Sequence, residues 1–398
     1  MSKEKVSRII RDKREQIIST LSDLIAVPTE NPPGKSYREC VDYLSERLSE
    51  WRIDHRIVSV PNEDFPRFSI IGTYGEGEES LHLHGHYDVV PVHSPEQFQP
   101  LVQKGRIFGR GSSDMKSGLI TILFTLLTLK ELGVELKGRI VFSFVPDEET
   151  GGRLGTLYLI ERELLPPVRL GMLMPEPTSG AVWNANKGAL TFQITIRGKT
   201  AHVGLAGEGM NAFEHMIEVA HSLRKLKRDV QKRKTKLRVS PPGAERSTML
   251  IGGESRSGYS FNVVPERAFF TIDRRINPEE NLEKARNEIF QVLNQPRKKG
   301  IQIEIDVLQE GESSFVSPET EVGQALKKSI MDVKGEEPAF ELCPGVCEIR
   351  FFNNRGIPAY AYGPGLLEVS HGPDEYVREK DILDCIEIFS LTALRLLY

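Results

Sequence analysis

Apolar residues in the first part of the chain recur with two alternating periods. Val6, Ile9, Ile10, Ile17, Leu21, Leu24 and Ile25 fall at helical spacing, and Tyr43 to Trp51 repeats that pattern. Short apolar runs at Phe68 to Tyr74, Leu81 to His86, Arg139 to Val145 and Leu170 to Met174 read as strands, with a strongly apolar helix from Lys116 to Leu132 between two of them. This alternation predicts an α/β domain, a largely parallel sheet with helices on its faces. Open sheets of this kind bind ligands at the carboxyl ends of their strands.

From about Ala181 the pattern changes. Leu190 to Arg197 alternates as a strand, Asn211 to Leu226 repeats as a helix, Ser247 to Gly253 and Ala268 to Ile276 read as strands, Leu282 to Leu293 as a helix and Ile301 to Val307 as a strand. That order predicts a small ferredoxin-like α+β domain inserted into the larger one. After Glu310 helices and a strand resume. The predicted division is therefore a discontinuous first domain, 1–180 and 310–398, around an insert at 181–309, as suits a chain of 398 residues.

Composition narrows the function classes. A net charge of -4 with 27% charged residues gives no basic excess for nucleic acid. The one basic run, Arg224 to Arg238, has no interleaved aromatic residues and reads as a solvated helix end and loop. The N-terminus is charged throughout, and the longest apolar run, from Gly118, is too short to span a bilayer, so a cytoplasmic protein with no membrane partner is expected. Cys40, Cys343, Cys347 and Cys385 are too few and too scattered for a disulfide framework. Cys343 and Cys347 have no second pair or histidine at ligand spacing.

Candidate chemistry lies in short stretches beside the predicted strands. HGHYD around His86, PDEETGG around Glu149 and MPEPT around Glu176 follow strands, and SSDMKSG around Asp114 precedes a helix. With His371 in EVSHGPDEY they supply two histidines and three carboxylates, the mixed nitrogen and oxygen donors that a pair of zinc-like ions takes. Each has a plainer alternative. His86 and Asp88 could be surface residues, Asp114 a helix N-cap, and Glu148 with Glu149 a solvated acidic turn. His82 and His84 read as sheet-face residues rather than ligands. Asp88 is placed to orient the His86 imidazole rather than to bind metal. Glu148, left without a ligand role, would be a general base beside metal-bound water.

Taken in order, VPTENPPG, HGHYDVVP, GRGSSDMKSG, PDEETGG, PEPT, GKTAHVG, NVVPE, GPG and SHGPDEYV resemble the M20 family of co-catalytic metallopeptidases and N-acyl-amino-acid amidohydrolases over nearly the whole chain. Acetylornithine deacetylase, succinyl-diaminopimelate desuccinylase, aminoacylase-1 and bacterial carboxypeptidase G are of this type. The resemblance implies a zinc-peptidase-like catalytic domain, with the insert as lid and homodimerisation domain. It implies that His86 and Glu176 bind one metal, Glu149 and His371 the other, and that Asp114 bridges them. Asp88 would orient, Glu148 act as base, and His202 reach the reacting carbonyl from the lid. Asn262 and Arg275 would hold the substrate, and Arg350 and Gly365 line its pocket. The metals implied are two per subunit, zinc first, with cobalt or manganese as alternatives. The implied reaction is hydrolysis of an N-acyl amino acid by a water between the metals. A dipeptidase or carboxypeptidase of the same family is the alternative, and a non-catalytic binding protein a more distant one. The chain departs from the pattern at Val346, Cys347 and Glu348, where many relatives read glycine, threonine and aspartate, so a differently shaped pocket next to Arg350 is expected.

Overall fold

A computed structural model describes residues 3–61 and 65–398 of the chain. It divides into two compact units, Met1–Asn184 with Val316–Phe340 and Glu348–Tyr398, and Ala185–Phe315 with Glu341–Cys347. The second unit extends beyond the 181–309 expected from sequence. Lys187 N–H donates to the Cys343 carbonyl at 3.2 Å and Leu342 N–H to the Arg238 carbonyl at 2.8 Å, so backbone pairing ties a distant strand to the insert. Pairing across such a sequence distance leaves no local pattern.

The first unit is built on one mixed sheet. Its strands run in the order His55–Val60, Arg67–Tyr74, Arg139–Val145, Ser80–His86, Gly171–Met174, Ala359–Ala361 and Val182–Asn186. The four central pairings partners, Arg139–Val145, Ser80–His86, Gly171–Met174 and Ala359–Ala361, are mutually parallel. The two strands on one flank and Val182–Asn186 on the other pair antiparallel, so the sheet is less parallel than the sequence pattern predicts. The cause is local: Gly75 to Glu79 is too short for the crossover that parallel strands need, so the chain reverses there and Arg139–Val145 pairs between the two strands.

Central strands buried on both faces lack alternation. Ser80–His86 and Gly171–Met174 are buried at every position. The helix Lys116–Glu131 is likewise buried almost all round, as expected of a helix apolar on every face. Each of its leucines removed from water contributes about 1.5–3 kcal/mol. Among the described residues no helix is long and apolar enough to cross a membrane.

The second unit holds a four-stranded antiparallel sheet in the order Thr248–Ser257, Arg267–Ile276, Gly188–Arg197 and Gln302–Gly311, joined through helices Ala212–Val230 and Leu282–Lys298. This is the ferredoxin-like strand and helix order. Val219 and Leu223 of one helix and Ala285, Ile289 and Leu293 of the other face the sheet at spacings of four residues, which places them on one side of each helix. Within the basic run, Arg233 is engaged by Glu280 at 2.6 Å and Glu288 at 3.0 Å, which uses its charge inside the unit.

Candidate metal centre

Parallel strands in register bring their carboxyl ends to one edge, and here that edge gathers the acids. His86 pairs opposite Val145, so the segment Pro146 to Gly152 emerges beside it, and Glu176 follows the neighbouring strand Gly171–Met174. The fourth parallel strand, Ala359–Ala361, leads through Gly363 and Gly365 to His371. Asp114 stands just before the buried helix Lys116–Glu131. Close backbone approach explains Gly365: its φ is +98°, and a Cβ there would come within 2.3 Å of Ser113 Oγ, next to Asp114.

Two donor sets result, His86 with Asp114 and Glu176, and Asp114 with Glu149 and His371. Within each set the ligand atoms lie within 4.8 Å of one another. His86 Nε2 is 3.4 Å from Asp114 Oδ1 and 3.7 Å from Glu176 Oε1. On the other side His371 Nε2 is 3.2 Å from Asp114 Oδ2 and 3.4 Å from Glu149 Oε2. Ligands about 2.0–2.2 Å from a tetrahedral zinc stand about 3.3–3.6 Å apart, so these separations suit donors arranged around ions. His86 Nε2 and Glu149 Oε1 are also buried without a hydrogen-bond partner, a costly state for polar atoms that a cation would relieve. The residues present therefore fit a pair of divalent cations, with Asp114 offering one oxygen to each.

The supporting contacts are specific. His86 is fully buried, and its Nδ1 lies 3.0 Å from the Asp88 carbonyl oxygen. Because that oxygen can only accept, the proton belongs on Nδ1 and the Nε2 lone pair is left for a cation. The Asp88 carboxylate is 3.3 Å from the same nitrogen and also accepts the backbone N–H groups of Glu148 and Glu149, each at 3.2 Å. Thus Asp88 contacts both the imidazole and the segment that carries two other acids. Glu148 belongs to neither donor set, and its Oε2 lies 3.9 Å from His86 Nε2.

Without cations the acids and histidines perturb one another. Burial, with the charges of Glu149, Glu348 and Asp114, pushes Glu148 well above the usual carboxylate range, against the pull of His86. Burial and the Asp114 charge raise Glu176 in the same way. Burial alone would lower His86, but the acids Asp114, Asp88, Glu176 and Glu148 outweigh it and push the imidazole well up. His371, contacted by Asp114 and Glu149, is pushed up to about 11. Asp114 stays below its ordinary range because its contacts with His371 and His86 overcome the burial that would raise it.

The remaining sequence candidates have contacts of their own. His202 and Asn262 are exposed neighbours in the second unit, where Val203 N–H donates to the Asn262 carbonyl at 3.0 Å and His202 bridges to Val263. Arg275, expected to hold substrate, makes a two-point pair with Asp273 at 2.8 and 3.1 Å. Arg350 is buried and donates to the Gly151 carbonyl at 2.8 Å, bracing the turn after Glu149. At the departure from the family pattern, Cys347 and Glu348 are buried. Glu348 Oε2 lies 2.9 Å from His84 Nε2 and accepts from Thr156 Oγ1 at 2.8 Å, so this carboxylate is used in the interior.

Several supporting residues carried no assigned role in the sequence. Asn31, within VPTENPPG, donates to Asp88 Oδ2 at 2.8 Å and to Thr150 Oγ1 at 3.0 Å, linking the first loop to the acid segment. Arg110 and Glu375 sit behind Asp114, inside GRGSSDMKSG and SHGPDEYV. Their place within quoted motifs was the available signal.

A two-cation donor set at the strand ends of an α/β domain, with an acid beside it, is the arrangement of a co-catalytic metallohydrolase. The chain belongs to Peptidase family M20/M25/M40, whose sequence profile matches residues 82–395, and this family match makes the bond an amide or peptide. It is 25% identical over 396 residues to a probable succinyl-diaminopimelate desuccinylase of Staphylococcus epidermidis, covering 94% of this chain and 95% of that one. Among solved structures it superposes on the di-peptidase Dug1p of Saccharomyces cerevisiae with a TM-score of 0.81 at 17% identity, covering 99% and 98% of the two chains. A Bacillus subtilis protein described as a dinuclear metal-binding peptidase of the M20 family matches with a TM-score of 0.67 at 18% identity, over 97% and 99%.

Proposed function

We propose that the chain hydrolyses the amide bond of an N-acyl amino acid, with Glu148 as general base. The observation that carries this is the position of Glu148, 3.9 Å from His86 Nε2 and part of neither donor set. Two divalent cations, zinc first and cobalt or manganese as alternatives, would be held by His86, Asp114, Glu176, Glu149 and His371, and would supply Lewis-acid polarisation and an acidified water.

The chain's own residues do the rest. Glu148 receives the proton of the attacking water as its oxygen bonds to the amide carbon. It then returns that proton to the nitrogen as the carbon–nitrogen bond breaks, leaving a carboxylic acid and an amine. The Glu148 carboxylate would be favoured beside bound cations before the transfer, and burial favours the protonated form once the proton is received. Asp88 fixes the His86 ring and the backbone of Glu148 and Glu149. His202, as a donor to the carbonyl oxygen, and Asn262, Arg275, Arg350 and Gly365, as substrate-side groups, enter this reading through motif resemblance. The N-acyl substrate class is supported by the similarity to the probable desuccinylase. A cytoplasmic homodimer built through the second unit completes it. That interface is supported by Phe213, Ile217 and Leu250, large apolar side chains exposed on helix Ala212–Val230 and the edge strand Thr248–Ser257.

The test is release of free amino acid from N-succinyl and N-acetyl amino acids against a dipeptide panel, with added zinc, cobalt or manganese. Metal-dependent turnover of the N-acyl panel is expected. Turnover of dipeptides alone would replace the N-acyl reading with a dipeptidase. Light scattering of the purified protein should give twice the chain mass, and the chain mass itself would remove the dimer.

A further inference from the structure

Behind the two donor sets lies an ion pair in which both partners are shielded from water. Arg110 Nη1 is 2.6 Å from Glu375 Oε2, and their side chains are 1% and 0% exposed. The other Glu375 oxygen accepts the backbone N–H groups of Ser113 at 2.9 Å and Asp114 at 3.0 Å. The other Arg110 terminal nitrogen donates to the His371 carbonyl at 3.2 Å and lies 3.5 Å from that of Pro91. Backbone pairing sets the pair in place: Phe108 is opposite Tyr376, and Gly109 N–H donates to the Glu375 carbonyl at 3.0 Å. One buried pair thus grips the backbone of Asp114 with its acid and that of His371 with its base.

An ion pair this deep is a poor way to gain stability, because desolvating two charges offsets most of their attraction. What it offers is direction, since a carboxylate and a guanidinium with several fixed partners permit only one arrangement. The two segments it joins carry the bridging acid and the most exposed ligand candidate. His371 is 49% exposed at its side chain and holds a left-handed φ of 63°, so little packing of its own fixes it. His93 Nε2, 3.2 Å from the same carbonyl, and Gln97 Nε2, which donates to the Gly372 carbonyl at 3.0 Å, are further holds on this loop.

We propose that Arg110 and Glu375 are positioning residues for the half of the metal centre formed by Asp114, Glu149 and His371. They keep His371 Nε2 and Asp114 Oδ2 at ligand separation, while the His86 and Glu176 half is set by strand ends. This rests on the two-cation reading above.

The experiment is a zinc titration by calorimetry of the metal-stripped full chain, comparing wild type with Arg110→Lys and Glu375→Gln. Lysine keeps the charge but cannot reach Glu375 and the His371 carbonyl together. Glutamine keeps an acceptor for Ser113 and Asp114 but turns an amide donor toward Arg110. Both should weaken the second ion about tenfold to a hundredfold more than the first, which shares only Asp114 with it, with kcat recovering in excess zinc. Two ions bound with unchanged affinities, or both weakened equally, would overturn the proposal. If Arg110→Lys fails the circular dichroism check for folding, Glu375→Gln decides alone. Wild type binding fewer than two ions would instead overturn the two-cation reading itself, and the positioning role with it.

Discussion

The two halves of the candidate metal centre are built differently. The His86 and Glu176 half is buried and grows directly from adjacent parallel strands, with His86 in register opposite Val145. The Glu149 and His371 half is more open and depends on segments beyond the strand ends, one gripped by Asp88 and the other by Arg110. A rigid sheet therefore fixes one set of donors through the backbone, whereas hydrogen bonds from buried polar side chains must fix the other. The difference teaches where the site should be vulnerable: substitutions in the polar supports should act on the open half first.

The largest effect should come from the residue common to both halves. Asp114→Ala should prevent stable loading of either cation at concentrations that saturate the wild type, abolishing turnover, and elemental analysis after gel filtration checks it. Near-normal content of two ions would show that the halves are independent. Next, Glu148→Gln should retain both ions and lower kcat about 10²–10⁴-fold, because proton transfer is lost while the donors stay. Asn31→Ala comes third. It leaves the buried Asp88 carboxylate short of one donor, and kcat should fall about tenfold, with a loss of about 1–3 kcal/mol in chemical denaturation. An unchanged kcat would show that Asp88 holds the acid segment unaided.

The smallest effect separates the metal-free from the loaded protein by pH. His371 in the metal-free fold is raised to about 11 by its contacts with Asp114 and Glu149. A raised histidine contributes stability that is fully present below its unfolded value of about 6.5 and is lost as pH rises through the folded value. Metal-free protein should therefore lose stability between about pH 7 and 11, and the loaded protein, whose His371 proton has been displaced, should show less of this loss. Denaturant melts across that range measure both, and equal slopes would contradict the displacement. The same competition makes cation affinity rise with pH.

Much of this was legible in the sequence because strands, helices and ligand motifs are local. The apolar runs gave three of the four central strands, Ala359–Ala361 being too short to stand out, and the placement of HGHYD, PDEETGG and MPEPT after them anticipated a shared edge. Strands that pair antiparallel at the sheet flanks were less legible, since apolar content does not encode direction. Nor did the pattern reveal the supports. Arg110 and Glu375 are 265 residues apart, and Glu348 meets His84 across 264, so neither pairing has a periodicity to read. At Glu348 the altered motif marks an unusual residue, and the structure supplies its partners: the carboxylate is buried against His84 and Thr156, and its charge reaches Glu148. A one-dimensional pattern shows that a residue is unusual before it shows which neighbour makes it so.

The most direct measurement is hydrolysis of the N-acyl amino acid panel by wild type and Glu148→Gln, each with its metal content determined on the same sample. Two ions in both proteins, with turnover in the wild type alone, is the predicted result. Turnover by Glu148→Gln at the wild-type rate with both ions in place would contradict Glu148 as the base and the proposed hydrolytic mechanism.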